Sequence, residues 1–193
     1  MADDHDAGTP RPSQFPAAER HRLVDEDRRR RQPFELIISR MGLRPGEGVA
    51  DLGAGIGYLS IPLADAGARV VALDLQQQML DGIRERDGGS ERIRLVRAEL
   101  PSIPLPDASL DRVLMVNVFH EVEDKPALVR EISRVLRPNG RVSLVDWQAR
   151  ETGRGPPMHE RVPMEIAPTL FPGFRKVRGH DDPNYYHLEL VRE

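Results

Sequence analysis

Cysteine is absent from this chain of 193 residues, and its absence excludes several kinds of chemistry. Without a thiol the chain can form no disulfide framework, no thiolate zinc site and no iron–sulfur cluster. A cysteine nucleophile is excluded for the same reason. Catalysis or binding must therefore come from carboxylates, imidazoles, guanidinium groups, hydroxyls and the backbone.

Long apolar runs are also missing. No run approaches the roughly 18 apolar residues of a transmembrane helix, and residues 1–12 are polar and acidic, without the apolar core of a signal peptide. The formal net charge is only -3, so the chain has no global attraction to nucleic acid or to anionic lipid. We therefore expect a cytoplasmic protein with no membrane partner.

The length fits one domain, and composition divides the chain into a tail and a folded part. Residues 1–16 are rich in Asp, Pro, Gly and Ser, which predicts a disordered N-terminal tail before a single domain over 17–193. Residues 17–41 are predicted to form a helical cap. Its four consecutive arginines, 28–31, belong either to a solvated helix face or to a cover over a cleft, where one of them meets a carboxylate.

A glycine-rich stretch follows the first apolar run. Residues 48–52 end in Gly53, Gly55 and Gly57, which is typical of a strand, a tight turn and a helix. Glycines let the backbone approach a ligand and tolerate positive φ, and the next helix would direct its free N–H groups at that ligand. Asp51 stands at the carboxyl end of the strand, where open α/β sheets bind ligands.

The spacing of the glycines separates two classes of cofactor. A dinucleotide fingerprint reads G-x-G-x-x-G, and its third Gly would fall where this chain has Tyr58. The pattern here is D-x-G-x-G-x-G, from Asp51 to Gly57. The pattern therefore argues against an oxidoreductase that uses NAD, which we keep as a weaker alternative for the function of the chain. The simplest alternative for the glycines themselves is a tight structural turn that binds no ligand.

Alternating apolar strands and amphipathic helices predict the fold. We predict a Rossmann-like, doubly wound α/β fold with a seven-stranded sheet, mostly parallel, with an antiparallel C-terminal edge and helices on both faces. A turn is expected at 138–140, and the Gly/Pro-rich residues 147–163 are predicted to form a lid-like loop. The predicted strands are 48–52, 69–74, 93–97, 110–117, 141–146, 174–178 and 185–191, and the predicted core helices are 57–66, 76–86 and 125–136.

Two further residues are candidates for the site. Asp74 ends the second strand about 20 residues after the glycines, where an acid accepts hydrogen bonds from ribose hydroxyls, although Asp is also a favoured helix N-cap. His120 follows the fourth strand and is either a general base or a residue that shapes the loop. Glu121 either orients that imidazole or faces solvent. His120 and Asp124 lack a third ligand, so we expect no metal site.

The chain resembles the class I S-adenosylmethionine-dependent methyltransferases, including small stand-alone bacterial members of that family. The D-x-G-x-G-x-G pattern is similar to the family's first motif, and the similarity extends over about residues 42–146. The other segments that carry it are Ala98-Glu99-Leu100 before the Pro-rich 101–107, the fourth-strand segment 111–121, and Leu136-Arg137-Pro138-Asn139-Gly140-Arg141, which looks like L-K-P-G-G-x.

The resemblance implies S-adenosylmethionine as cofactor and methyl transfer to a small-molecule acceptor by in-line displacement. Within that mechanism His120, from its position after the fourth strand, is our candidate catalytic residue. It implies that the following residues bind the cofactor: Asp51, Gly53, Ala54, Gly55 and Gly57 at the methionine part, Asp74 and Leu75 at the ribose, Glu99 and Leu100 at the adenine, and Asn117 near the sulfonium. The family usually has Asp at the position of Glu99. A non-catalytic cofactor-binding or interaction protein is the other alternative.

Nucleic acid is not an expected substrate. The N/D-P-P-Y signature of amino-group methylation is absent after the fourth strand, where the chain reads Asn117-Val118-Phe119-His120. Basic residues are not interleaved with aromatic residues in a stripe. The sequence leaves the identity of the acceptor and the oligomeric state open.

Overall fold

The computed structural model describes residues 15–88 and 92–193, so most of the predicted tail, 1–16, lies outside the described residues. No helix in these two ranges is long and apolar enough to cross a bilayer. The strands are β1 Gly48–Leu52, β2 Arg69–Asp74, β3 Ile93–Arg97, β4 Leu110–Val116, β5 Leu136–Trp147, β6 Phe174–Asp181 and β7 Tyr185–Arg192. The α-helices are α1 Glu26–Arg31, α2 Phe34–Met41, α3 Ser60–Asp65, α4 Gln77–Arg86 and α5 Lys125–Val135, with 3-10 segments at Ala17–Val24, Phe119–Glu121, Met158–Glu160 and Ala167–Leu170.

The strands form one seven-stranded sheet in the order β3-β2-β1-β4-β5-β7-β6. Strands β1 to β5 pair in parallel, whereas β7 runs antiparallel to both β5 and β6. Because parallel neighbours need crossover connections, helices cover both faces. One hydrophobic cluster includes residues of α5, and the other includes residues of α2, α3 and α4. The predicted fold class is confirmed, with C-terminal strands longer than the predicted 174–178 and 185–191.

Helix α5 begins and packs as its sequence predicts. Asp124 caps it, since Asp124 Oδ1 accepts a hydrogen bond from the Ala127 N–H at 2.8 Å. Pro126 lies in the first turn, where its missing N–H is not needed. Leu128 and Ile132 are fully buried against the sheet. This helix therefore fixes the position of the segment that carries His120.

Helix α3 begins later than predicted. The sequence predicts a helix over 57–66, but the structure has α3 at Ser60–Asp65. The chain has positive φ at Gly55 (55°) and Gly57 (79°), which keeps it in a loop conformation before the helix begins. Pro62 is thus the third residue of the helix, where proline is tolerated. As a consequence, residues 53–59 form a loop after β1, and the first turn of the helix begins only at Ser60.

The pairing of β4 with β5 is also less regular than predicted. The expected turn at 138–140 is part of β5, and the register of the two strands shifts between Leu110 and Arg112, which leaves a bulge in β5. Asn139 has a left-handed φ of 63° within that bulge. Strand β4 ends one residue before the predicted position because Asn117 also has a left-handed φ, 59°.

Candidate functional site

A cavity of about 1620 Å³ opens at the carboxyl ends of the parallel strands. This is where open α/β sheets bind ligands, and the volume exceeds that of a usual single-ligand pocket, roughly 300–1,000 Å³. The cleft is therefore larger than a single small ligand requires. The predicted site residues that line it are Asp51, Gly53, Ala54, Gly55, Asp74, Leu75, Glu99, Leu100, Asn117 and His120.

Gly57 is the predicted site residue that the structure does not place on the cleft wall. It is buried, and a Cβ added there would lie 3.1 Å from Ile83 and 3.4 Å from Ile61. Its positive φ still shapes the loop, so its role is in the packing of the loop against α4. The structure gives it no contact surface toward a ligand.

The glycine loop is hydrogen-bonded to the end of β2. The Gly53 N–H donates to the Leu73 carbonyl at 2.9 Å, and the Gly55 N–H donates to Asp74 Oδ2 at 2.8 Å. Gly53 has a φ of 69°, and a Cβ there would lie 2.6 Å from Val118 Cγ2. A side chain is therefore excluded at Gly53 by both conformation and space.

Asp74 accepts backbone hydrogen bonds with both carboxylate oxygens. Asp74 Oδ1 accepts from the Gln76 N–H at 2.9 Å, while Oδ2 holds the Gly55 N–H. Burial raises the pKa of Asp74, and these backbone donors oppose that rise. Helix α4 has Gln76 as its N-cap residue, so the alternative role of Asp74 as the helix cap is not what the structure shows.

A buried carboxylate and a guanidinium group without a carboxylate partner border the methionine end of the predicted site. Asp51 Oδ2 accepts a hydrogen bond from Ser60 Oγ at 2.6 Å, and burial raises the pKa of Asp51 to about 6, opposed by Ser60 and the charge of Arg28. The Arg28 guanidinium lies 4.2 Å from the centre of the Tyr58 ring and donates to the Leu23 carbonyl at 2.9 Å. Within residues 15–88 and 92–193 no carboxylate forms an ion pair with Arg28.

The N-terminal segment crosses the mouth of the cleft. At one end the Gln76 side chain donates to the Phe15 carbonyl at 2.9 Å. At the other end the amides of Gln32 and Asn117 bond each other reciprocally, at 3.0 and 3.2 Å. The Tyr58 hydroxyl donates to the Gln32 carbonyl at 2.5 Å, so the residue that replaces the third dinucleotide glycine holds the cap in place.

The loop 147–163 folds against this cap. Arg161 is buried and donates hydrogen bonds to several loop carbonyls, which holds the loop together, and its guanidinium lies 5.6 Å from the centre of the Trp147 ring. Gly155 packs so closely on Trp147 that a Cβ would lie 2.6 Å from its Cε3. An ion pair at 2.6 Å between Asp27 and Arg154 joins the loop to α1. The two segments together border the cleft.

His120 forms a hydrogen-bonded pair with Asp146 at the end of β5. The distance from His120 Nδ1 to Asp146 Oδ1 is 2.7 Å, and the His120 N–H donates to Asp146 Oδ2 at 3.0 Å. A carboxylate at Nδ1 favours the tautomer with the proton there, which leaves Nε2 as the acceptor nitrogen. Nε2 is 3.8 Å from Glu121 Oε1.

The charges around His120 change the pKa values of two groups. Burial lowers the pKa of His120, but Asp146 and then Glu121 outweigh burial, so the pKa rises above its usual value. Burial raises the pKa of Glu121 to about 7, although the charge of His120 opposes that rise. The pKa of His120 therefore lies above its usual value and that of Glu121 is about 7, and shifts of this kind are typical of groups used in acid–base catalysis.

Sequence reasoning assigned no role to Asp146. The sequence signal that could have identified it is an acid that directly follows an apolar run, Val142–Val145, at the sheet edge where ligands bind.

The pair of His120 and Asp124, considered above as metal ligands, is not arranged as a metal site. Asp124 caps α5 and is therefore engaged elsewhere. In the part of the chain that the structure describes, no group of three or more His, Asp or Glu residues is arranged to hold a metal ion.

Comparison with known proteins identifies relatives of the central part of the chain. Residues 50–144 match the family described as Methyltransferase domain. The demethylmenaquinone methyltransferase of Clavibacter sepedonicus is 36% identical over 102 residues, which is 53% of this chain and 42% of that protein. The malonyl-[acyl-carrier protein] O-methyltransferase of Serratia marcescens is 36% identical over 106 residues, or 55% of this chain and 40% of that protein. The aligned part thus spans less than half the length of these curated relatives.

A solved structure covers nearly the whole chain. A methyltransferase from Aquifex aeolicus, described as dependent on S-adenosylmethionine, superposes with a TM-score of 0.86 at 25% identity. The match covers 93% of this chain and 100% of that one. The similarity therefore includes the cap and the C-terminal strands as well as the central motifs.

Proposed function

Because the chain belongs to the class I S-adenosylmethionine-dependent methyltransferase family, we propose that it transfers a methyl group from S-adenosylmethionine to a small-molecule acceptor by in-line displacement. One observation carries the proposal: the glycine loop with its two strand-end carboxylates and the His120–Asp146 pair lie at one cleft. The first set suits cofactor binding, and the second suits deprotonation of an acceptor.

The residues at the methionine end fit the amino-acid part of this cofactor. Asp51 is a buried carboxylate that would bind its ammonium group, and Arg28 is a guanidinium that would bind its carboxylate. Each side chain lacks an ion-pair partner of its own in the described ranges. Gly53 and Gly55 leave space for the ligand, because neither has a side chain to occupy the loop surface.

The adenosine end is proposed from the next two strands. Asp74 and Leu75 follow β2, where a carboxylate accepts hydrogen bonds from ribose hydroxyls. Glu99 and Leu100 follow β3 and border the same cleft, so they would contact the adenine. Asn117, at the end of β4, would lie between this end and the acceptor side.

The bound cofactor supplies an electrophilic methyl group on a sulfonium. The protein contributes alignment of the two reactants and exclusion of water. Together these two effects can lower the activation barrier substantially. The cap and the loop 147–163 border the cleft mouth, joined by Asp27 and Arg154, and we propose that they form its lid.

His120 is the proposed general base. With its Nδ1 proton held by Asp146, Nε2 would accept the proton that the acceptor loses as the new bond forms. Asp146 is a positioning residue: it fixes the tautomer and ring orientation and stabilises the imidazolium. A small-molecule acceptor is supported by the two curated relatives, which are named for demethylmenaquinone and for a malonyl group on a carrier protein.

Calorimetric titration is the first test of this proposal. We expect S-adenosylmethionine to bind with one site per chain, and NAD to show no saturable binding, because Tyr58 occupies the position of the third dinucleotide glycine. Incubation of the enzyme and cofactor with fractionated metabolite pools should then release S-adenosylhomocysteine with at least one fraction. Binding without release in any fraction would favour the non-catalytic alternative, and preference for NAD would contradict the proposal.

Asp74→Ala tests the ribose contact. We expect the affinity for S-adenosylmethionine to fall by about 1.5–3 kcal/mol, the scale of a hydrogen bond to a charged group. Asp81→Ala is the matched control, because Asp81 lies on the exposed surface of α4 and pairs with Arg84 there. Thermal melts on the same samples separate the effects: lower stability with unchanged cofactor affinity would mean that Asp74 only supports the loop.

A further inference from the structure

A second cavity, of about 290 Å³, lies at the opposite edge of the sheet. It is found at the amino ends of the parallel strands, between the end of α2 and strands β4 to β7. We call it the arginine pocket, and its lining residues include Arg40, Arg44, Glu47, Arg112, Arg141, Arg178 and Glu189. It shares no lining residue with the cleft described above.

Strand register brings the charged residues of the arginine pocket together. Arg112 of β4 pairs with Arg141 of β5, and Glu189 of β7 pairs with Ser143 of β5 on one side and with Arg178 of β6 on the other. Directly paired residues, and residues two apart on one strand, share a face of the sheet. Four charged side chains thus project from the face that α2 covers.

Two of the arginines are already neutralised. Arg112 Nε donates to Glu47 Oε2 at 2.6 Å, and its other nitrogens bond the carbonyls at the end of α2. Arg40 Nη2 donates to Asp182 Oδ1 at 2.9 Å. These two arginines are structural, since their charges are paired within the protein.

Three other arginines have no such partner. In the two described ranges, the guanidinium groups of Arg44, Arg141 and Arg178 form no ion pair and no hydrogen bond, although each borders the pocket. Guanidinium groups bind oxyanions strongly, because their N–H groups match the geometry of carboxylate and phosphate oxygens. An anion in the arginine pocket would therefore meet three unpaired cations.

Glu189 adds a second requirement for the ligand. Its side chain is 1% exposed, and Oε1 already accepts hydrogen bonds from Ser143 Oγ at 2.5 Å and from His187 Nε2 at 2.8 Å. Oε2 has no hydrogen-bond partner, and Arg112 Nη1 lies 3.9 Å from it, too far for a hydrogen bond. A buried carboxylate oxygen without a donor is unfavourable, so a ligand that supplies one would be stabilised.

We propose that the arginine pocket binds hydrogen phosphate. The three unpaired guanidinium groups would bind the phosphate oxygens, and the phosphate hydroxyl would donate to Glu189 Oε2. Sulfate has the same size and charge at neutral pH but no hydroxyl, so Glu189 would repel it. The site holds a ligand of this size, because the pocket volume is several times the roughly 30 Å³ of one water molecule.

Free phosphate and a phosphate monoester share this chemistry, but they differ in their hydroxyl groups at neutral pH. The monoester loses its last acidic proton with a pKa near 6, whereas inorganic phosphate keeps one hydroxyl at pH 7. Glu189 therefore favours the free ion at neutral pH. Methyl phosphate, whose dianion has no hydroxyl group, is the probe for the other source.

The test is a titration of the full chain with inorganic phosphate, sodium sulfate and methyl phosphate at pH 7 and constant ionic strength, followed by calorimetry and amide NMR shifts. We expect saturable binding of one phosphate per chain, with a Kd on the order of 1 mM or lower, and sulfate at least ~10-fold weaker. The shifts should centre on Arg141, Arg178 and Glu189. Tighter binding of methyl phosphate than of phosphate would point to an ester as the ligand and overturn the assignment to the free ion.

Variants locate the site and test the donor argument. Arg141→Gln and Arg178→Gln should each weaken phosphate ~10-fold, whereas Arg175→Gln, on the exposed surface of β6 and outside the pocket, should not. Glu189→Gln should reduce or reverse the preference for phosphate over sulfate, because an amide can donate to an oxyanion. If Glu189→Gln fails to fold, the two arginine variants and the sulfate comparison still decide. No saturable phosphate binding, equal binding of sulfate, or unchanged affinity in both arginine variants would overturn the proposal.

Discussion

Replacement of His120 by glutamine is expected to lower turnover by ~10²–10⁴-fold, the usual contribution of a general base, with little change in the affinity for S-adenosylmethionine. Glutamine keeps a polar side chain of similar length but cannot accept a proton at neutral pH. Turnover is measured with the acceptor that the metabolite screen identifies, and affinity by calorimetry. His159→Gln is the matched control, because the His159 side chain is 81% exposed and its nearest carboxylate partner is 3.9 Å away.

The pH profile separates a base from a residue that only shapes the cleft. Since Asp146 and Glu121 outweigh burial and raise the pKa of His120, the wild-type rate should fall on the acidic side at a pH above the usual range of histidine. Burial raises the pKa of Glu121 to about 7, so Glu121 could also cause a change of rate in this pH range. The variant Glu121→Gln removes that titration and leaves His120 as the titrating group of the pair. The same substitution removes a negative charge that raises the pKa of His120, so the acidic limb of the pH–rate profile should move to somewhat lower pH.

Asp146→Asn extends the same experiment. Loss of the carboxylate charge should lower the pKa of His120, so the acidic limb should move to lower pH, and the plateau rate should fall because the tautomer is no longer fixed. An acidic limb that persists unchanged in His120→Gln would assign it to another group. Near-normal turnover in His120→Gln would contradict the general-base role and leave alignment as the main source of catalysis.

The fold was predictable because its signals are local. Apolar runs such as Val113–Val116 indicate buried parallel strands, and Asp124 with Pro126 marks the start of α5. The start of α3 was not predictable, since glycine tolerates both helical and left-handed backbone, and only the surrounding contacts select the latter at Gly57. The bulge at the start of β5 depends on how two distant strands pair, which local propensity does not report.

The position of the glycine loop at the cleft was predictable for the same reason, whereas the His120–Asp146 pair and the arginine pocket were not. Asp51, Gly53 and Gly55 follow one another on a single loop, so their spacing carries the information. The pairing of His120 with Asp146 brings together residues from the ends of β4 and β5, and the arginine pocket joins four strands and a helix. Such sites depend on sheet order and register, which become visible only when the strands are placed beside one another.

Gly55→Val is expected to have the second large effect, on cofactor binding. Gly55 has a φ of 55°, a conformation that a β-branched residue adopts only at considerable cost, and its Cβ would lie 3.0 Å from Leu23 Cδ1 of the cap. The loop should therefore leave this conformation, and the Gly55 N–H should lose its bond to Asp74.

The size of the effect follows from the population of the binding-competent loop. Left-handed backbone costs a non-glycine residue roughly 1–2 kcal/mol, and apparent affinity falls in proportion to the competent fraction. Strain alone should therefore weaken the binding of S-adenosylmethionine by about 5- to 30-fold. The branched side chain, which would occupy the surface left open for the ligand, should raise the loss to ~100-fold or beyond.

Gly173→Val is the control variant, because it introduces the same kind of backbone strain at a position that does not border the cleft. Gly173 has a φ of 80°, a Cβ added there would have nothing within 4 Å, and the residue lies in a turn before β6, away from the cleft. Both variants should lose some thermal stability, but only Gly55→Val should lose cofactor affinity in calorimetry. If Gly55→Val binds S-adenosylmethionine within about two-fold of wild type while remaining folded, the glycine loop does not contact the cofactor. The strand-end carboxylates Asp51 and Asp74 would then have to hold it without the loop.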